Sequence, residues 1–102
     1  MRVRWTEPAA ADLTQISDYT QEHFGTTRAR RTALAILNAA ESLAKQSSRG
    51  RPGRRGGTRE LLVPGLPFLI IYRIGDNATE ILRILHGARK WPEAGRSPRN
   101  WP

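Results

Sequence analysis

Cysteine is absent from the 102 residues, which excludes disulfide staples, zinc-thiolate clusters and a thiol nucleophile together. Long apolar runs are absent as well. Nothing approaches the ~20 residues of a membrane span, and the opening Met1-Arg2-Val3-Arg4-Trp5 lacks the apolar stretch of a signal peptide. A cytoplasmic protein with no membrane partner is expected. Histidine occurs only at His23 and His86, without a cysteine or an i, i+4 histidine partner, so neither a metal nor any other cofactor is expected. No Gly-x-Ser-x-Gly, P-loop or Gly-x-Gly-x-x-Gly is present, which removes the common hydrolase and nucleotide signatures.

Acidic residues are scarce: 9 Asp and Glu stand against 17 Lys and Arg, for a net charge of +8. The imbalance is lopsided, because residues 1–44 hold five basic and five acidic side chains, whereas residues 45–102 hold twelve against four. Fifteen of the cations are arginine, the side chain that grips carboxylates and phosphates through a planar fork. The second half is therefore expected to seek an anionic partner. The length suits one compact domain, residues 1–87, followed by a basic tail with tryptophans and prolines, residues 88–102.

Thr6-Glu7-Pro8 reads as a helix start, with Thr6 as cap and an early proline where N–H groups have no intrahelical partner. Ala9, Leu13, Ile16 and Thr20 recur at helical spacing with Phe24 next in line, while Asp12, Asp18 and Glu22 are placed off the stripe. The helix is expected to end near His23, with Gly25 at its C-terminal turn. A second helix, residues 27–45, carries Ala29, Ala33, Ile36, Ala40 and Leu43, widened by Leu34 and Leu37. Three strands follow, Thr58 to Val63, Phe68 to Ile74 and Thr79 to His86, separated by Pro64-Gly65 and Gly75-Asp76-Asn77. The middle strand is apolar on both faces and is placed centrally. A helix of roughly 28 Å matches a strand of roughly 26 Å, so the helices can roof the sheet. With Val3 to Trp5 as a short edge strand, the expected fold is α+β: an antiparallel two-helix hairpin on one face of a mainly antiparallel four-stranded sheet, in the order β-αα-βββ.

Residues 49–57, rich in Arg and Gly, read as a flexible basic loop. Arg49, Arg51, Arg54, Arg55 and Arg59 suit an anionic surface, or simply a solvated loop. Arg73 and Arg83 stand inside apolar strands, where an arginine reaches a rim or a carboxylate such as Glu60 or Glu80. His86 could act as a general acid or base near Arg89, or bond to backbone at a strand end. The tail displays Trp91 and Trp101 beside Arg89, Lys90, Arg96 and Arg99, residue types suited to a binding hot spot.

The order β-αα-βββ, the opening Trp5-Thr-Glu-Pro-Ala-Ala-Ala-Asp-Leu with Ile16 and Tyr19, Thr58-Arg-Glu-Leu, Ile70-Ile-Tyr-Arg-Ile and Ile84-Leu-His-Gly-Ala-Arg together resemble the RelE/ParE family of bacterial toxins over residues 2 to about 92. The resemblance implies a small basic toxin silenced by a cognate antitoxin, here expected to engage Arg49, Arg51, Arg54, Arg55 and Arg59. ParE-like members inhibit DNA gyrase, and RelE-like members cut messenger RNA on the ribosome. RelE-like ribonucleases carry an arginine just before the central Leu-Val-Tyr and a catalytic tyrosine, or a His-Tyr pair, near the C-terminus. Here that arginine position holds Leu69, and no tyrosine follows Tyr72. The chain thus looks closer to the ParE branch, with Arg89, Lys90, Trp91, Arg96, Arg99 and Trp101 meeting gyrase. A ribonuclease would instead draw on Arg59, Arg83, His86 and Arg89, with the ribosome and its message as partners.

Overall fold

The computed structural model describes residues 1–87; the tail residues singled out above, Arg89 to Trp101, lie outside them. Strand β1 (Arg2–Trp5) leads into helix α1 (Glu7–Phe24), which turns through Gly25 into helix α2 (Thr26–Glu41). Strands β2 (Arg51–Pro52), β3 (Arg59–Leu62), β4 (Phe68–Ile74) and β5 (Ala78–His86) follow within the described residues. The fold is α+β, as expected. Its sheet, however, has five strands in the order β1-β5-β4-β3-β2 rather than four. It is also mixed, because β1 runs parallel to β5 while the other pairs are antiparallel. Strand β4 is central and β1 lies at an edge, as the patterning predicts.

Local chemistry sets each boundary. The Thr6 hydroxyl oxygen accepts the Ala9 N–H at 3.3 Å, and its own O–H donates to the Ile81 carbonyl at 2.8 Å. One residue therefore caps α1 and ties its start to β5. Gly25 has φ +93°, a backbone conformation that side chains resist, so the hairpin turns in a single residue. The second helix ends four residues sooner than expected, at Glu41, and tightens into a short 3-10 turn, Ser42–Ala44.

The main core lies between the hairpin and the sheet, where Ile16, Ile36, Leu43, Ile70, Tyr72, Ile81 and Ile84 are almost fully buried. Each large aliphatic contributes about 1.5–3 kcal/mol by leaving water, and the alanines Ala39 and Ala40 let α2 approach closely. Leu69, Ile71 and Leu85 form a second cluster with Leu82. They alternate with the helix-facing residues and so occupy the helix-free face. Three hydrophobic side chains assigned to the helix stripes sit elsewhere: Phe24 is 60%, Leu34 50% and Leu37 39% exposed. Asp12, placed off the stripe by its polarity, is instead buried. Among the described residues no helix is long and apolar enough to cross a membrane.

Candidate functional site

The alternation of β3, β4 and β5 turns Leu62, Leu69, Ile71, Leu82 and Leu85 onto the helix-free face, along with Glu60, Arg73 and Glu80. Two arginine-carboxylate clusters border this apolar strip. On the β1 side, Glu80 accepts from Arg73 Nε and Nη2 at 3.2 and 2.6 Å and also pairs with Arg4 across the parallel ladder. The hydrogen bonds from Arg73, then those from Arg4, hold the Glu80 carboxyl below the ordinary carboxylate range. Beside them, Arg2 and the turn Gly75-Asp76-Asn77 line an open concavity of about 390 Å³.

On the opposite side, Glu60 is buried at 4% exposure. Its oxygens accept from Arg51 Nη2 and from the Arg54 backbone N–H, each at 3.2 Å, and the Arg54 guanidinium lies 3.8 Å away. The segment read as a flexible loop is therefore a tethered strap. Arg51 pairs with Glu60 and Pro52 with Arg59 in the ladder, with the proline at a sheet edge where it is tolerated. Tyr72 holds the strap from below: its hydroxyl donates to the Ser47 carbonyl at 2.6 Å and accepts the Gly50 N–H at 2.9 Å. A Cβ on Gly50 would stand 2.6 Å from the Glu60 carbonyl oxygen and 2.8 Å from the Tyr72 hydroxyl, so only glycine fits.

Among the expected antitoxin contacts, Arg51 and Arg54 stand over Glu60 with side chains 67% and 45% exposed. Arg49 donates to the Ser42 hydroxyl at 2.7 Å, and the Arg55 carbonyl accepts from Thr58. Arg59 turns inward, donating to the carbonyls of Ser48 and Gly50 at 3.0 and 2.5 Å. Each exposed guanidinium carries five donors, so the rim can meet an anionic partner without abandoning its own carboxylate.

The described ribonuclease candidates are held by different parts of the fold. Arg83 donates through Nε and Nη2 to the two Asp12 oxygens at 2.7 and 3.0 Å, rather than to Glu60 or Glu80. Asp12 also accepts the Ile84 backbone N–H at 2.9 Å. The register skips Leu82 between Ile71↔Arg83 and Tyr72↔Ile81, and this bulge re-aims Arg83 toward α1. Arg59 lies on the β3 side of β4 and Arg83 on the β5 side, each tied into the fold. His86 pairs with Phe68 across the ladder, their rings edge to face at 5.7 Å. Leu69 is buried in apolar company, so the position of the resemblance's catalytic arginine offers no cation. Arg89 lies outside the described residues. Composition did not reveal Asp12, Glu60 or Tyr72 as anchors; the signal available was spacing, since Asp12 stands four and eight residues before Ile16 and Thr20.

Comparison with known proteins agrees with this architecture. The family model for the ParE toxin of type II toxin-antitoxin system, parDE, matches residues 3–91. Toxin Y4kP of Sinorhizobium fredii is 38% identical over 92 residues, covering 90% of this chain and 94% of that protein. Toxin RelE2 of Caulobacter vibrioides is 41% identical over 88 residues, covering 86% and 97%. A solved chain from the chromosomal ParDE toxin-antitoxin system of P. aeruginosa superposes with a TM-score of 0.76 at 31% identity, covering 82% of this chain and 92% of that one. With the family model spanning residues 3–91 and the two relatives and the solved fold in agreement, the chain belongs to the ParE toxin family of type II toxin-antitoxin systems.

Proposed function

We propose that the protein is a gyrase-directed toxin that acts by binding rather than by cutting RNA, and that a cognate antitoxin neutralises it. The observation that carries this reading is the state of the ribonuclease candidates. Leu69 is apolar and buried, Arg83 is bonded to Asp12, and Arg59 is bonded to strap carbonyls. Phosphodiester cleavage needs a cation at the developing charge and a general acid and base near it. The described residues of the helix-free face supply arginines already paired to carboxylates and no histidine or tyrosine.

The antitoxin reading rests on the arginine rim. An acidic, partly apolar segment can meet Arg49, Arg51, Arg54 and Arg55 while covering Leu62, which is 56% exposed. Such rim charges chiefly set the association rate and its salt dependence. Residues 88–102 form the target-binding segment, with Trp91 and Trp101 as aromatic anchors beside Arg89, Lys90, Arg96 and Arg99. The testing experiment places pure protein with gyrase and relaxed plasmid, and in parallel with ribosomes translating a defined message. Loss of supercoiling with intact message supports the reading. Message cleavage that disappears in His86→Ala or Arg89→Ala replaces it with the RelE-like one.

A further inference from the structure

Helix α2 carries two leucines on the side that faces away from the core. At about 100° per residue, the buried Ala29, Thr32, Ile36, Ala39 and Ala40 form one arc. Arg30, Leu34, Leu37 and Glu41, all exposed, form a narrow row on the outward side. Leu34 and Leu37 are 50% and 39% exposed; Leu34 stands well away from the core arc and Leu37 on its flank. The row advances by four, three and four residues, the spacing of a coiled-coil seam. Neither Arg30 nor Glu41 has an ion-pair partner among the described residues.

We infer that this row is the seam of a homodimer, in which α2 packs antiparallel against α2 of a second copy across a two-fold axis. The spacing of the row is symmetric about its midpoint between Ala35 and Ile36, with leucines inside and opposite charges at its two ends. Arg30 then faces the partner's Glu41, Leu34 faces the partner's Leu37, and the axis repeats both pairs. Such self-complementarity is what an isologous interface requires. Parallel packing would set Arg30 on Arg30 and Glu41 on Glu41, so charge selects the antiparallel arrangement, which also opposes the two helix dipoles favourably. An acidic helix from another protein would satisfy Arg30 and Arg31 but would oppose Glu41. The seam spans roughly 17 Å of helix, which places the dimer in the weak, concentration-dependent class. It lies on the hairpin side and leaves the arginine rim of the helix-free face open.

Sedimentation of the purified full chain, over a concentration series reaching the high micromolar range, tests the inference by charge exchange. The wild type is expected to pass from monomer to dimer. Arg30→Glu alone and Glu41→Arg alone should each weaken the dimer tenfold or more, and Arg30→Glu/Glu41→Arg together should restore it. Leu34→Asp should abolish it while leaving the circular dichroism spectrum unchanged, because the side chain is outside the core. A wild type that stays monomeric throughout overturns the inference, as does a dimer that survives Leu34→Asp. Failure of the paired exchange to rescue overturns the register. A monomer whose capture by the antitoxin is lost in Leu34→Asp also overturns it, assigning the row to that partner.

Discussion

Replacing Asp12 by alanine removes, in one step, both oxygens that hold the Arg83 guanidinium and the acceptor for the Ile84 N–H. The Arg83 and Asp12 side chains are 22% and 6% exposed, so the pair is largely out of water. Breaking a buried pair from one side costs about 3–5 kcal/mol because a charge is left without its partner. The residual exposure of Arg83 lets water recover part of that, while the orphaned backbone donor adds about 1–3 kcal/mol. The expected net loss is about 3 kcal/mol, a large share of the ~5–15 kcal/mol that holds a domain together. At about 4–8 °C per kcal/mol for a domain of this size, the melting midpoint should fall by about 12–24 °C. Asp12→Asn keeps an acceptor but not the charge, and should lose roughly half as much. Urea unfolding followed by circular dichroism, with Arg83→Met and the double variant closing a mutant cycle, reads the coupling directly. The double variant should be more stable than Asp12→Ala alone, since it leaves no unpaired guanidinium. A loss below about 1 kcal/mol in Asp12→Ala, or simple additivity in the double variant, refutes the reasoning.

Three further outcomes are expected. Gly50→Ala drives a Cβ to 2.6 Å from the Glu60 carbonyl oxygen and should lower unfolding stability by about 2 kcal/mol, the usual scale of overpacking; an unchanged denaturation midpoint would show that the strap yields freely. Glu80 has a folded-state pKa below its unfolded value, so the stability it adds is present above the unfolded pKa and is lost as pH falls through the folded one. Thermal midpoints of wild type and Glu80→Gln should therefore converge toward acid pH, and a constant gap would contradict the ion pair's role. A chain ending at Ala88 should keep its helical spectrum and its antitoxin binding but lose gyrase inhibition. Full inhibition by that truncation would remove the tail as effector, and its unfolding would make the tail a structural plug.

Periodic elements were legible in the sequence because burial obeys geometry. The Ala9-Ile16-Thr20 and Ala29-Ile36-Ala40 spacings mark the hairpin, Gly25 marks its turn, and the apolar alternation of Phe68 to Ile74 marks a central strand. What escaped were residues whose side-chain type and position disagree. Asp12 is polar yet on the buried face, because a strand edge and an arginine far along the chain converge on it. Leu34 and Leu37 are apolar yet directed away from the core. Strand β2 was concealed by the glycines and arginines around it; the charge of Arg51 is balanced by Glu60, nine residues beyond, which composition alone does not connect. The parallel pairing of β1 with β5 joins residues nearly the whole domain apart, and no local pattern encodes it. For the candidate site, the exposed positions of Arg51 and Arg54 follow from charge, whereas the inward turn of Arg59 follows only from the strap that Tyr72 and Gly50 shape.

The central claim, a toxin of the ParE family that disables gyrase by binding, is tested most directly by titrating the pure full chain into a gyrase supercoiling reaction, with and without its antitoxin. Supercoiling should fall to zero as the chain reaches the enzyme's concentration range and should recover when antitoxin is added in equal amount. Undiminished supercoiling at large excess, under conditions where the same preparation arrests growth on expression, would contradict the claim.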